Sequence, residues 1–236
     1  MATGSLYLIP TPLGETALDL VLPEETRRIA AALSHFVVEH PKTARAFLKQ
    51  VGTATPLQQL TLAELNEHTR DSELQGLLAP LLAGHDVGLL SEAGCPAVAD
   101  PGANLVRLAH RTGIRVKPLV GPSSILLALM ASGLVGQRFT FHGYLPAKPE
   151  ERTRALKELE QQAGRDDAAQ AFIETPYRNN AMLEGILAAC RDDTLVCVAC
   201  DLTLASEFIA TRTVAEWRLA FPDLHKRPSV FLIWRQ

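Results

Sequence analysis

Three segments of the chain combine glycine, proline and small hydroxyl residues: Pro10-Thr11-Pro12-Leu13-Gly14, Ser91-Glu92-Ala93-Gly94-Cys95-Pro96-Ala97-Val98-Ala99-Asp100-Pro101-Gly102, and Gly121-Pro122-Ser123-Ser124. Glycine admits positive φ and lets a ligand approach the main chain. Proline holds the loop in one shape. Hydroxyls and exposed peptide groups supply hydrogen bonds, so such loops suit a small polar ligand. Acid and base candidates lie beside them or further on: Glu39, His40, Glu92 and Glu207. A carboxylate there could bind a sugar hydroxyl or take a proton from a reacting oxygen. Plainer readings stand beside these. Glycine and proline also end strands, Glu92 reads as a solvated loop carboxylate, and His40 as a surface histidine. Three such loops, each following an apolar run, weigh against coincidence.

The elements that must position these loops alternate. Short runs rich in Val, Ile, Leu and Phe predict strands at Ser5–Pro10, His35–Glu39, Val87–Ser91 and Ile114–Lys117. Helical stretches fall between them at Glu25–Leu33, Ala44–Val51, Glu73–Ala83 and from Asp100-Pro101 to Arg111, closed by Gly113. Proline at the start and glycine past the end are the usual helix punctuation. This alternation predicts an α/β fold with a largely parallel sheet. After Pro118 the texture changes. An apolar helix over Pro122–Ala131 precedes a strand at Phe139–His142 and a charged helix over Glu150–Gln162. Strands are expected at Ala171–Glu174, Leu195–Cys200, Glu207–Thr211 and Val230–Trp234. The few residues between Cys200 and Glu207 are too short for a parallel crossover, so those two strands should pair antiparallel and make the second sheet mixed. We therefore expect two α/β domains, residues 1–118 and 119–236.

Composition narrows the function. The 236 residues are 47% hydrophobic with a formal net charge of −3. They can bury a sizeable core and lack the strongly basic balance of many nucleic-acid binders. No apolar run approaches the roughly 20 residues of a membrane span, and Met1 to Gly4 carries no basic segment ahead of Leu6. A cytoplasmic protein without a membrane segment is the expectation. Cys197 and Cys200 have the spacing of a metal or redox pair, but on a strand they point to opposite faces. No metal site is expected. The absence of G-x-G-x-x-G, Walker A and G-x-S-x-G patterns argues against dinucleotide, P-loop and hydrolase readings.

The chain resembles the tetrapyrrole-methylase superfamily, and most of all its branch that methylates a ribose 2′-hydroxyl in bacterial small-subunit ribosomal RNA. The residues that carry the resemblance are Leu6 to Gly14, Leu89 to Gly102, and Pro118 to Ser124. Phe141 to Pro146, Ile173-Glu174-Thr175-Pro176-Tyr177-Arg178, and Asp201-Leu202-Thr203 with Glu207 also match. It implies two α/β domains with a cleft between them, a homodimer, and S-adenosyl-L-methionine as cofactor. It implies cofactor contacts from Pro12, Ser91, Glu92, Ala93, Gly94, Ser123, Ser124, Leu202 and Ser229. Glu39 and Glu207 are the catalytic candidates, and ribosomal RNA or the small ribosomal subunit the partner.

The chain departs from that branch at Glu39-His40-Pro41-Lys42-Thr43-Ala44-Arg45, where Glu-Asp-Thr-Arg is usual and Pro41 intrudes. It has Glu92 in place of an Asp, Cys95 in place of a Thr, and ends at Gln236 where the branch often continues into a small module. Two other readings stay open: methylation of a small molecule, tetrapyrrole or protein side chain, and a non-catalytic dimeric module that binds the cofactor. Lys148, Arg152, Arg154 and Lys157, with Arg178, could form a phosphate-contacting edge; paired with Glu150, Glu151 and Glu158 the helix residues instead read as a solvated face.

Overall fold

The computed structural model describes residues 3–66 and 69–235. Met1 and Ala2, on which part of the N-terminal reading rests, lie outside the described residues. The chain forms two compact units, Met1–Ser123 and Ser124–Gln236. The loop after Pro118 stays with the first unit because Leu119 N–H donates to Leu8 O (2.9 Å) and Thr26 Oγ1 donates to Val120 O (2.8 Å).

In the first unit, β1 (Ser5–Ile9) leads through α1 (Leu18–Val21) and α2 (Glu24–Ala32) to β2 (His35–Val38). Then come α3 (Pro41–Val51), β3 (Thr61–Glu64), α4 (Asp71–Leu77), α5 (Ala79–Leu82) and β4 (Val87–Leu90). Finally α6 (Ala103–Arg111) precedes β5 (Arg115–Pro118). All pairings are parallel, in the order β3-β2-β4-β1-β5. Parallel crossovers are right-handed, so connections that run in opposite directions along the sheet must cover opposite faces. The connections after β1 and β2 run one way, and Ile9, Ala30, Phe36, Ala44 and Phe47 bury together on that side. Those after β3 and β4 run the other way, over Leu6, Leu78, Leu89, Leu105 and Ala109. The neighbours β1 and β4 therefore send their outgoing chains to opposite faces.

In the second unit, α7 (Ser124–Ser132) precedes β6 (Phe139–Tyr144), α8 (Pro149–Asp166), β7 (Ala169–Ile173) and, after a single turn at Pro176–Arg178, α9 (Asn179–Ala189). The unit closes with β8 (Leu195–Cys200), β9 (Phe208–Thr213), α10 (Val214–Leu219) and β10 (Ser229–Trp234). The sheet order is β6-β7-β10-β8-β9, with β6 and β7 parallel and the other pairs antiparallel, including the expected β8–β9 pair. The helices α8, α9 and α10 cover one face. Phe172 stacks on Phe231 there (5.8 Å between centroids), and Trp217 lies fully buried with its indole N–H on Val196 O (2.9 Å). Cys200 belongs to this core while Cys197 does not, so their thiols face opposite sides of β8.

Several boundaries differ from the sequence reading. Pro41 opens α3 rather than intruding on it, because a first-turn residue needs no N–H partner. Pro80 interrupts the helix expected over Glu73–Ala83, since it has no N–H to continue the ladder. The helix expected from Pro101 starts at Ala103, behind Gly102 at φ 132°. The strand β3 and the helices α9 and α10 were not expected. No helix among the described residues is long and apolar enough to cross a membrane. Truncating Phe231 to Ala removes half of a stacked pair in a closed core, so it should cost about 3–5 kcal/mol in urea unfolding. Leu219→Ala, at an 89% exposed position, should stay within about 0.5 kcal/mol.

Candidate active site

Parallel strands bring their carboxyl ends to one edge, and ligands of open α/β sheets bind beyond that edge where neighbouring strands lead to opposite faces. In the first unit that position lies between the loops after β1 and β4. Two backbone hydrogen bonds tie the loops together: Thr11 N–H to Gly94 O (2.9 Å) and Gly94 N–H to Thr11 O (3.0 Å). Ser91 Oγ also donates to Gly94 O (2.9 Å), and Thr11 Oγ1 to Ser91 O (3.2 Å). The third glycine-proline loop joins through Cys95 Sγ, which donates to Pro122 O (3.4 Å). Ser123 follows, half-buried.

A cavity of about 440 Å³ opens beside this bridge, walled by Pro12, Leu13, Phe47, Ser91, Glu92 and Ala93. Gly94 has φ +78°, and a Cβ on it would come 3.2 Å from Leu13 Cδ2. Any larger residue is therefore strained in backbone and crowded in space. The rest of the loop stores strain too. Ala97 (φ 66°) and Ala99 (φ 60°) occupy the left-handed region, which costs about 1 kcal/mol or more each.

Three carboxylates gather on the same edge. Glu92 is exposed, and its Oε1 accepts from Thr43 Oγ1 on α3 (2.7 Å). Glu39 is half-buried at the end of β2. Asp100 is partly buried; desolvation, then the charges of Glu39 and Glu92, raise its carboxyl to about 6. Neither Thr43 nor Asp100 stands out as a site residue in the sequence, where Asp100 reads as part of the second loop and as a helix opener. His40 is exposed and precedes α3, where its carbonyl accepts from Thr43 Oγ1 (2.9 Å).

The remaining expected site residues, Ser124, Leu202, Glu207 and Ser229, belong to the second unit. Ser124 starts α7. Leu202 is buried in the turn after β8, between Asp201 (φ 51°) and Thr203 (φ 71°). Glu207 Oε2 accepts Thr203 N–H (2.8 Å), which fixes that turn. Asp201 Oδ2 accepts from Arg227 Nε (2.8 Å) and Ser206 Oγ (2.9 Å). Ser229 Oγ donates to Arg227 O (3.0 Å). Behind β7, the fully buried Glu174 side chain accepts from Thr175 N–H and Arg178 Nη2 (2.6 Å each), while its Oε2 is buried with no partner among the described residues. Arg152, expected on a phosphate-contacting edge, is instead buried, with Nη1 on Ala147 O (3.3 Å). The absence of a side chain at Gly185 makes that room, for a Cβ there would lie 3.3 Å from Arg152 Nε. Among the described residues no cluster of three or more His, Cys, Asp or Glu could hold a metal.

The Asp100 carboxyl, at about 6 against an ordinary 3.8, binds its proton more tightly in the folded state. Its stability contribution is complete below 3.8 and is lost as pH rises through about 6. Asp100→Asn cannot ionise. Between about pH 4 and about pH 7 the wild type should therefore lose stability relative to this variant in urea midpoints. Parallel pH profiles would contradict the assignment.

The model for the family Tetrapyrrole (Corrin/Porphyrin) Methylases matches residues 5–217. The Ribosomal RNA small subunit methyltransferase I of Escherichia coli O157:H7 is 34% identical over 225 residues, 90% of this chain and 70% of that protein. The protein of the same name from Haemophilus influenzae is 30% identical over 246 residues, 98% and 78% of the two chains. The fold matches the crystal structure of the methyltransferase CobJ with a TM-score of 0.64 at 22% identity, over 99% of this chain and 95% of that one. The chain is a methyltransferase and belongs to the tetrapyrrole (corrin/porphyrin) methylase family.

Proposed function

We propose that this methyltransferase uses S-adenosylmethionine and methylates a ribose 2′-hydroxyl of small-subunit ribosomal RNA. The observation that carries the reading is the Thr11–Gly94 bridge beside the cavity at the β1/β4 edge. The residues present fit the cofactor. A cavity of about 440 Å³ is within the range of small-ligand sites, and Gly94, next in the chain after the lining residue Ala93, holds a backbone conformation an L side chain rarely adopts. Pro12, Ser91, Glu92, Ala93, Gly94 and Ser123 would hold it. Ser124, Leu202 and Ser229 are assigned to it by resemblance alone. When bound, the cofactor supplies an electrophilic methyl group on a sulfonium for in-line transfer to an oxygen.

The rest falls to the chain's own residues. They must align the acceptor and exclude water, and a hydroxyl acceptor must lose its proton. Glu39 is our candidate for that proton. Glu92, braced by Thr43, would hold a cofactor hydroxyl. Glu207, engaged with Thr203 N–H, would act through the shape of the Asp201–Thr203 turn. The ribosomal acceptor is supported by the names of the relatives. It implies work in the cytoplasm, and the family resemblance extends the reading to a homodimer. The Glu39, Glu92 and Asp100 edge repels phosphate, so backbone contacts to RNA must come from other surfaces.

Calorimetry with S-adenosylhomocysteine should show binding that Gly94→Val abolishes. With labelled S-adenosylmethionine and undermethylated small ribosomal subunits, label should enter the RNA. Glu39→Gln should slow that transfer about a hundredfold with cofactor affinity kept. No binding heat overturns the cofactor; binding without label in RNA overturns the acceptor and favours a small-molecule or protein substrate. Light scattering should report twice the chain mass.

A further inference from the structure

Tyr177 is a large aromatic that the second unit leaves 70% exposed. It is not a loose surface side chain, because the two loops that frame it are bound together. Lys226 N–H donates to Pro176 O (3.0 Å), and Asn179 Nδ2, itself fully buried, donates to Arg227 O (2.6 Å). Asn180 bridges the same loops in both directions, accepting Leu224 N–H (2.7 Å) and donating to Asp223 Oδ1 (2.9 Å). Lys226 is held at φ 61°, a conformation L residues rarely adopt. The outcome is a fixed group on the surface: the exposed His225 ring meets Tyr177 edge to face at 6.0 Å, and Lys226 Nζ lies 5.9 Å from the Tyr177 centroid.

The arginines nearby are paired, and the exposed Asp223 carboxylate accepts from Asn180 Nδ2 and His225 N–H through Oδ1. Arg178 pairs with Glu174 and Arg227 with Asp201. Among the described residues no carboxylate forms an ion pair with Lys226, whose ammonium lies by the Tyr177 ring. An exposed, pre-oriented aromatic face beside an ammonium and an imidazole matches the demands of an unpaired nucleotide: a surface for the base and a charge for the phosphate. An apolar protein partner would need a broader hydrophobic patch than one tyrosine.

We propose that Tyr177, His225 and Lys226 form a stacking platform for an unpaired nucleotide of the RNA acceptor. This rests on the ribosomal-RNA reading above and assigns the RNA contact that the acidic edge of the first unit cannot make. The platform is a positioning and affinity surface, separate from the groups that handle the methyl group or the proton.

The test measures KM and kcat for methylation of undermethylated small ribosomal subunits across a salt series. Tyr177→Ala should raise KM about tenfold with kcat and S-adenosylhomocysteine affinity kept, and Tyr177→Phe should restore the wild-type value. Lys226→Ala should flatten the salt dependence of kcat/KM by about 0.7 in log–log slope. If the wild type labels the subunits and Tyr177→Ala leaves KM unchanged, the platform is overturned while the ribosomal reading stands. Loss of the dimer in Tyr177→Ala with unchanged KM overturns it in favour of a contact between copies. If the wild type binds S-adenosylhomocysteine but labels no subunits, the acceptor reading falls and the platform with it.

Discussion

The pair of backbone hydrogen bonds between Thr11 and Gly94 is the constraint on which the site depends. It closes the carboxyl edge of a parallel sheet at the place where β1 and β4 send the chain to opposite faces. Together with Thr11 Oγ1 on Ser91 O and Ser91 Oγ on Gly94 O, it fixes the direction of the peptide groups of Ser91 to Gly94. The bond is affordable in conformational terms only because position 94 is a glycine. The neighbouring Ala97 and Ala99 lack that freedom and are nonetheless held left-handed. That strain is offset by the cores on either face of the sheet, where Leu6, Ile9, Leu89 and Leu105 are almost completely buried.

Electrostatics divide the labour between surfaces. At the site edge, burial and after it the charges of Glu39 and Glu92 raise the Asp100 carboxyl to about 6. Like charges in a partly desolvated place make it easier to hold a proton and are hostile to phosphate. The basic residues of the second unit are mostly spent on structure: Arg152 in the packing of α8, Arg178 on Glu174, Arg227 on Asp201. For the RNA acceptor we propose, a chain with net charge −3 offers few basic surfaces, and rigid aromatic stacking would gain affinity without many cations.

Much of this was legible in the residues. Apolar runs ending in Gly/Pro loops identified the strands that carry the site, and the short link between Cys200 and Glu207 correctly required an antiparallel pair. The family resemblance and its methyltransferase activity agree with the comparisons. What escaped had physical reasons. The edge strand β3 is a four-residue segment, Thr61–Glu64, with no buried position to produce a pattern. Helix α9 is apolar around most of its circumference, so it lacks a polar face to mark it. Arg152 looked like a surface charge because the glycine that gives it room, Gly185, is on another helix. Asp100 looked like a helix opener because its burial and the charge of Glu39 come from other parts of the fold, while Glu92 lies in its own loop.

The central claim is that the ligand sits on the Thr11–Gly94 bridge. Hydrogen–deuterium exchange with and without S-adenosylhomocysteine tests it most directly, because it reads the backbone amides of the loops themselves. The account predicts that ligand slows exchange in residues 10–15 and 91–102 while leaving the β3 edge unchanged. Protection confined to other segments, or none in either loop at saturating ligand, would contradict it.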